Sequence, residues 1–252
     1  MNKIEYRKMF EVENRHWWFS GKRHLVLHLA RRYLSPLAHI REGAAPHILD
    51  AGCGTGRILE ELSTLGTPFG CDLHPDSLGF CLQRGLHRLV QRSVESFPFQ
   101  SSRFHLVCLL DTLYSVADDR KALRQVHRIL APGGVLILTD SAFQFLYGPH
   151  DRAAHGVRRY QKKELEEKLL STGFLVERLS YFNFFLFPVA LAVRLFRRWV
   201  PGRAERGTDV GEVPGWLNRL LLMLLLTEVR WLSRFNFPFG LSLWVVARKP
   251  PD

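Results

Sequence analysis

The sequence predicts an α/β fold: a doubly wound, mostly parallel sheet of seven strands with helices on both faces. Three observations carry this expectation. Apolar strand-like runs alternate with helical patterns from residue 46 onward. A Gly-rich turn, Gly52-Cys-Gly-Thr-Gly56, joins the first strand to the first helix of that series. The first two strands both end on an acidic side chain, Asp50 and Asp72.

The elements follow in order. Residues 4–34 read as helical and interrupted by His16-Trp-Trp-Phe-Ser-Gly-Lys-Arg-His24, whose aromatic run cannot all face one core. This segment is expected to pack over the sheet as a helical lid, with Arg23 available to a carboxylate. Strands are expected at 46–50, 67–72, 88–91, 104–110, 133–140, 174–181 and 241–248. Helices are expected at 57–65, 75–84, 118–130 and 161–172. In helix 118–130 the residues Leu123, Val126, Ile129 and Leu130 share one face, and Arg120, Arg124 and Arg128 share the other. Ala131-Pro-Gly-Gly134 is expected to stop that helix, and Gly173 the next one.

The Gly-rich turn is the most informative segment. A strand, a glycine turn and a helix N-terminus make a nucleotide cradle, because glycine allows close approach and leaves amides free to donate. A dinucleotide fingerprint, G-x-G-x-x-G, needs a third glycine where Arg57 stands, which argues against a nicotinamide-dependent oxidoreductase. Asp72, about twenty positions past the turn, stands where a carboxylate would hold a ribose diol. It also stands where it could cap the helix beginning near Pro75.

Composition bounds the function classes. The 252 residues allow one domain with additions, and 46% hydrophobic content supports a full core. The formal net charge of +11 favours anionic partners. No uninterrupted Lys/Arg run or RNA-binding signature accompanies it, so nucleic acid is not the expected partner. The four cysteines lack C-x-x-C pairing and zinc spacing, which fits a reduced cytoplasmic compartment. The polar N-terminus has no signal-peptide core.

Two segments stand outside the alternation. The loop Tyr147-Gly-Pro-His-Asp-Arg-Ala-Ala-His-Gly-Val-Arg-Arg-Tyr160 follows the fifth strand at the carboxyl edge, where parallel sheets place their sites. His150, His155 and Tyr160 are candidate catalytic groups there, with Asp151, Arg158 and Arg159 beside them. The alternative is a polar loop that caps the helix at 161. No further ligand pattern accompanies the two histidines, so no metal is expected. Residues 183–239 contain two apolar stretches, 183–193 and 220–226, each too short to cross a bilayer. Arg194, Arg197, Arg198, Arg219, Arg230 and Arg234 edge them, with Trp199, Trp216 and Trp231. That is the pattern of helices lying in a membrane interface. A helical cap buried on the main domain is the other reading.

Leu49-Asp-Ala-Gly-Cys-Gly-Thr-Gly56 resembles motif I of the class I S-adenosylmethionine-dependent methyltransferases, in the bacterial type 11/12 small-molecule group. Asp72, Val90-Gln-Arg-Ser-Val-Glu-Ser-Phe-Pro-Phe99, Phe104-His-Leu-Val-Cys-Leu-Leu-Asp111 and Arg128-Ile-Leu-Ala-Pro-Gly-Gly134 extend the resemblance over roughly residues 10–182 and the last strand. It implies S-adenosyl-L-methionine as cofactor. Asp50, Gly52, Gly54 and Gly56 would serve its methionine part, Asp72 the ribose, Ser93 and Val94 the adenine, and Asp111 the reacting end, with Leu73 and Arg23 also among the cofactor-binding residues. It implies methyl transfer to a small-molecule or lipid-linked acceptor.

Two positions depart from the family. Ser93 replaces the usual aspartate of the adenine segment. Tyr114-Ser115 replaces a Glu-His often found after the fourth strand, so a histidine base is absent there. Alignment of reactants alone can supply about 7–11 kcal/mol, so activity does not require that base. The rival expectation is a methyltransferase-like domain without catalysis that acts as a membrane-associated binding protein. The expected organisation is a lid at 1–45, a cofactor domain at 46–182, an apolar and basic helical insert at 183–239 and a final strand at 240–252. The expected location is the cytoplasm, peripheral on the inner face of the membrane.

Overall fold

The computed structural model describes residues 3–34, 45–199, 213–232 and 234–251. Its sheet has seven strands: β1 (His47–Ala51), β2 (Thr67–Asp72), β3 (Leu89–Gln91), β4 (Phe104–Leu110), β5 (Leu130–Ser141), β6 (Leu175–Phe182) and β7 (Ser242–Arg248). The strand order is β3-β2-β1-β4-β5-β7-β6. Strands β3 to β5 pair in parallel, and β7 runs antiparallel to both β5 and β6. The carboxyl ends of β1, β4, β5 and β6 therefore share one edge. The order reverses between β1 and β4, the switch point where open α/β sheets leave a crevice.

Apolar runs explain the centre of the sheet. Ile48 and Leu49 of β1 and Leu106 to Leu109 of β4 have no exposed surface, as expected of strands covered on both faces. Helices α3 (Arg57–Leu62), α4 (Pro75–Gln83), α5 (Asp119–Ile129) and α7 (Lys162–Ser171) supply much of the cover; α6 (Pro149–Ala153) is one short turn. Asp118 caps α5 by accepting the Lys121 N–H at 2.8 Å. Leu123, Val126 and Ile129 are buried beneath it.

Two expectations of local structure are corrected. Ala131-Pro-Gly-Gly134 does not simply precede β5. The ladder already starts at Leu130 opposite Phe104, and the register shifts before Leu106. Gly133, at φ +73°, supplies the left-handed residue this irregularity needs.

The helix expected over 4–34 is two helices, α1 (Lys3–Val12) and α2 (Trp17–Leu34). In an unbroken helix the Glu13 carbonyl would accept the Trp17 N–H. Here that N–H goes to Asn218 Oδ1 at 2.9 Å, and the Arg23 guanidinium takes the carbonyl. The buried Glu13 carboxylate accepts the Thr55 hydroxyl at 2.7 Å and pairs with Arg84 at 2.6 Å. The break thus fastens the lid to the Gly-rich turn on one side and to the insert on the other.

The insert forms α8 (Phe187–Trp199) and α9 (Gly215–Leu232). Helix α9 packs on α2. A Cβ at Gly21 would lie 2.5 Å from Leu225 Cδ1, so glycine sets the closeness of that crossing. Among the described residues no helix is long and apolar enough to cross a membrane. Phe184, Phe185 and Phe187 are half-buried. Phe184 stacks on Phe237, Phe185 lies against Trp231, and Phe187 lies against Phe239. Leu225 is fully buried, so part of the apolar set read as membrane-facing is covered by the protein itself. The side chains of Arg194, Arg197, Arg198 and Trp199 lie outside the described residues.

Candidate active site

A cavity of about 950 Å³ lies over the carboxyl edge of β1 and β4. Its lining comes from the lid, the Gly-rich turn, the ends of β1, β2 and β4, the segment after β3, the loop after β5, the turn after β6, the start of β7, and helices α8 and α9.

The Gly-rich turn leaves β1 at Gly52, with φ +83°. A Cβ there would come 2.2 Å from Thr112 Oγ1, so both the backbone and the space require glycine. Most of the turn's amides are not free donors, contrary to the sequence reading. The Gly52 and Cys53 N–H groups both donate to the Cys71 carbonyl, at 2.7 and 3.1 Å. The Gly54 N–H donates to Asp72 Oδ2 at 2.9 Å. What this turn offers a ligand is close approach and carboxylates.

Asp50 and Asp72 provide those carboxylates. Asp72 is buried and accepts the His74 N–H on Oδ1 at 2.9 Å, alongside its bond to Gly54. Two accepted bonds leave lone pairs on both oxygens for a diol. The capping and the ribose roles are thus compatible. Asp50 Oδ1 is buried with no partner. Burial pushes its carboxyl up to about 7, opposed by the charge of Lys22 and reinforced by Asp72. A buried orphan acceptor beside a cavity suits an ammonium group.

Asp111 follows β4 in a left-handed conformation, φ +49°. Its carboxylate takes the Lys22 ammonium at 2.6 Å and the Thr139 hydroxyl at 3.1 Å. Lys22 was missed by the sequence reading, which chose its neighbour Arg23. Arg23 also lines the cavity, yet its guanidinium is engaged by Glu61 at 3.1 Å and by the Glu13 carbonyl. The available signal was the four-residue spacing of Trp18 and Lys22, which puts both on one helix face. The Lys22 ammonium lies 6.0 Å from the Trp18 ring centre.

Ser93 and Val94 line the cavity beside exposed Leu73. The Ser93 hydroxyl is tied to Glu95, accepting the Glu95 N–H at 3.2 Å. Glu95 in turn accepts the Asp118 N–H at 3.0 Å. Asp50, Asp72, Ser93 and the glycine approach together fit S-adenosylmethionine.

The loop 147–160 divides. Arg159 and Asp151 form a buried bidentate pair at 2.8 and 3.0 Å. Tyr160 is fully buried and is not part of the cavity wall. Its hydroxyl donates to Asp119 Oδ2 at 3.0 Å, which corrects its reading as a catalytic group. His155 does line the cavity, exposed and at φ +59°. The His150 side chain lies outside the described residues.

Away from the glycines, the wall is mostly apolar: Trp17, Trp18, Phe19, Leu186, Val189, Ala190 and Val193, with Tyr114 and Asn183 among them. The sequence leaves α8 between a membrane face and a cap on the main domain, and Val189, Ala190 and Val193 of α8 do line the cavity. No group of three or more acidic, histidine or cysteine side chains suited to a metal occurs among the described residues.

Comparison with known proteins agrees with this geometry. Residues 49–138 match the family model described as a methyltransferase domain. An uncharacterised protein of Mycobacterium bovis is 37% identical over 139 residues, 51% of this chain and 46% of that protein. The ubiquinone/menaquinone biosynthesis C-methyltransferase UbiE of Hahella chejuensis is 31% identical over 123 residues, 44% of this chain and 49% of that protein. The chain spans about half the length of these curated relatives. Among solved structures, a SAM-dependent methyltransferase from Archaeoglobus fulgidus superposes with TM-score 0.57 at 16% identity, covering 90% of this chain and 94% of that one. The (4+2)-cyclase SpnF superposes with TM-score 0.52 at 20% identity, covering 88% and 82%. At these identities the structural likeness is one of fold.

Proposed function

We propose that this chain, whose residues 49–138 match a methyltransferase domain, uses S-adenosylmethionine to transfer a methyl group to a lipid-linked or other apolar small-molecule acceptor at an anionic membrane surface. One observation carries the acceptor class. Val189 and Val193 of α8 line the cavity and are also 61% and 42% exposed, so the apolar chamber reaches the protein's surface at α8. Phe196, Trp216, Met223 and Trp231 on the same two helices are more than half exposed. Arg219, Arg230 and Arg234 are exposed beside them. Apolar side chains edged by arginine suit a lipid interface, where each cation near anionic headgroups adds about 1 kcal/mol.

The bound cofactor supplies a methyl group on an already activated sulfonium. The protein's task is to hold the two reactants in line and keep water out. Asp50 accepts the ammonium of the methionine part, and Asp72 accepts the ribose hydroxyls. Trp17, Trp18 and Phe19 close the chamber to water. His155, and His150 on the same loop, are the groups able to take a proton from a nucleophile of high pKa.

The test is turnover of methyl-labelled cofactor with a total lipid extract, alongside sedimentation with vesicles of phosphatidylglycerol and phosphatidylcholine. Labelled lipid and salt-sensitive sedimentation are expected, with Trp216→Glu and Phe196→Glu abolishing sedimentation but not cofactor binding. Label appearing only in water-soluble products would overturn the acceptor class. Cofactor binding without any turnover would favour the rival reading, a catalytically inactive membrane-associated binding protein.

A further inference from the structure

Asn183 follows β6 at the carboxyl edge of the sheet and lines the cavity. It is 2% exposed, and its Oδ1 has no hydrogen-bond partner. Its backbone is left-handed, φ +63°, one of only five non-glycine residues so placed among those described. Three of the five, Asp111, His155 and Asn183, line this one cavity. Left-handed non-glycine residues of this kind concentrate at functional sites, where surrounding contacts hold them.

Here the surrounding contacts are visible. Glu228 of α9 is fully buried and accepts the Phe185 N–H at 2.9 Å, fixing the turn after Asn183. On the other side Phe182 stacks against Trp18 of the lid, with ring centres 5.8 Å apart. The turn is therefore clamped between lid and insert, and Asn183 belongs to a cavity lining that also includes Leu186, Val189 and Ala190. A buried polar atom without a partner is costly, and native structures retain few of them. A ligand that brings a hydrogen-bonding group to this point removes the cost. A hydrocarbon does not.

We propose that Asn183 is the residue that selects the polar head of the methyl acceptor, pairing with a hydroxyl or amine set on an apolar body. This rests on the reading of the chamber as the acceptor site. It narrows the substrate class to amphiphiles whose hydroxyl or amine lies next to the apolar portion. An amide turned end for end exchanges acceptor for donor, and a hydroxyl satisfies either.

The probes are octan-1-ol and octane, titrated into the protein saturated with S-adenosylhomocysteine and followed by tryptophan fluorescence, since Trp17 and Trp18 line the cavity. The expected result is about tenfold tighter binding of the alcohol after correction for water solubility, the worth of one buried hydrogen bond. Asn183→Gly accepts the left-handed backbone and removes the amide, so it preserves the fold. It should erase the preference while leaving octane binding and S-adenosylhomocysteine affinity unchanged. Asn183→Ser should keep part of the preference. Equal binding of the two probes to the unaltered protein, or a preference surviving in Asn183→Gly, overturns the assignment of Asn183 alone. Failure of both probes to bind overturns the apolar-chamber reading, and this inference with it.

Discussion

Replacing Asp151 by alanine should unfold the protein far more readily than any change at the neighbouring histidines. Asp151 has no exposed surface, and Arg159 is 6% exposed. The carboxylate takes two guanidinium bonds, at 2.8 and 3.0 Å, and the Gly148 N–H at 2.7 Å. Removing it leaves a buried cation whose other guanidinium bond is to the Ala142 carbonyl, at 3.2 Å. Breaking one side of a buried pair costs about 3–5 kcal/mol. Against a typical stability of about 5–15 kcal/mol this is a large share. At about 2–4 °C per kcal/mol for a chain of this size, the midpoint should fall by roughly 6–20 °C. Urea unfolding and calorimetry of Asp151→Ala, Arg159→Met and the double variant give the coupling directly. The double variant should recover much of the loss, because neither charge is then stranded. His155→Ala, on the exposed part of the same loop, should stay within about 0.5 kcal/mol of the parent. A loss below 1 kcal/mol in Asp151→Ala, or a double variant as unstable as the sum of the singles, would refute the reasoning.

Asp72→Ala should weaken S-adenosylhomocysteine binding ten- to about a hundredfold, from lost charge-assisted bonds to the ribose; unchanged calorimetric affinity in a folded variant would remove Asp72 from the site. Asp50 makes binding and stability depend on pH with opposite signs. Its carboxyl is pushed from an ordinary 3.8 to about 7, so the folded protein holds a proton that the unfolded chain has released. The stability this provides is complete below about 4 and is lost as pH rises through about 7. Affinity for the cofactor's ammonium should rise over the same approach to 7. Asp50→Asn should flatten both profiles, and parallel profiles in the two proteins would exclude Asp50 as their source. Gly21→Ala should cost about 1–3 kcal/mol by pushing α2 from α9, and Leu225→Ala should relieve part of it; additive losses by urea titration would count against a direct clash.

The sheet was legible because its signals are local. Apolar runs, Gly turns and capping residues lie within a few positions of the elements they define, and Asp50, Asp72 and the three glycines could be read the same way. What escaped depends on partners far along the chain. The break between α1 and α2 is settled by Thr55, Arg84 and Asn218, which lie 42, 71 and 201 positions from the residues they hold. Lys22 and Arg23 are adjacent in sequence but about 100° apart around a helix, so choosing between them required knowing which face met the cavity. The Gly-turn amides looked available because nothing local shows that the end of β2 consumes them. Tyr160 looked like a site residue because burial cannot be read from a polar loop. Asn183 belongs to no motif. Its significance comes from the two helices and the strand that close around it.

The cavity is covered differently at its two ends, and this bears on how a catalytic cycle would be ordered. Over the Gly-rich turn, α1 lies so close that a Cβ on Gly54 would be 3.2 Å from Met9 Cε, and Glu13 ties the lid's end to Thr55 and Arg84. On the proposed reading, spent cofactor leaves that end only when those ties open. At the other end, α8 brings the chamber to the surface through Val189 and Val193. On the proposed reading, the water-soluble reactant and the lipid reactant use separate doors facing separate phases. Neither product then has to wait for the other. Successive acceptors can be drawn from one bilayer without the protein leaving it, so the rate should follow the mole fraction of acceptor in the surface rather than its bulk concentration.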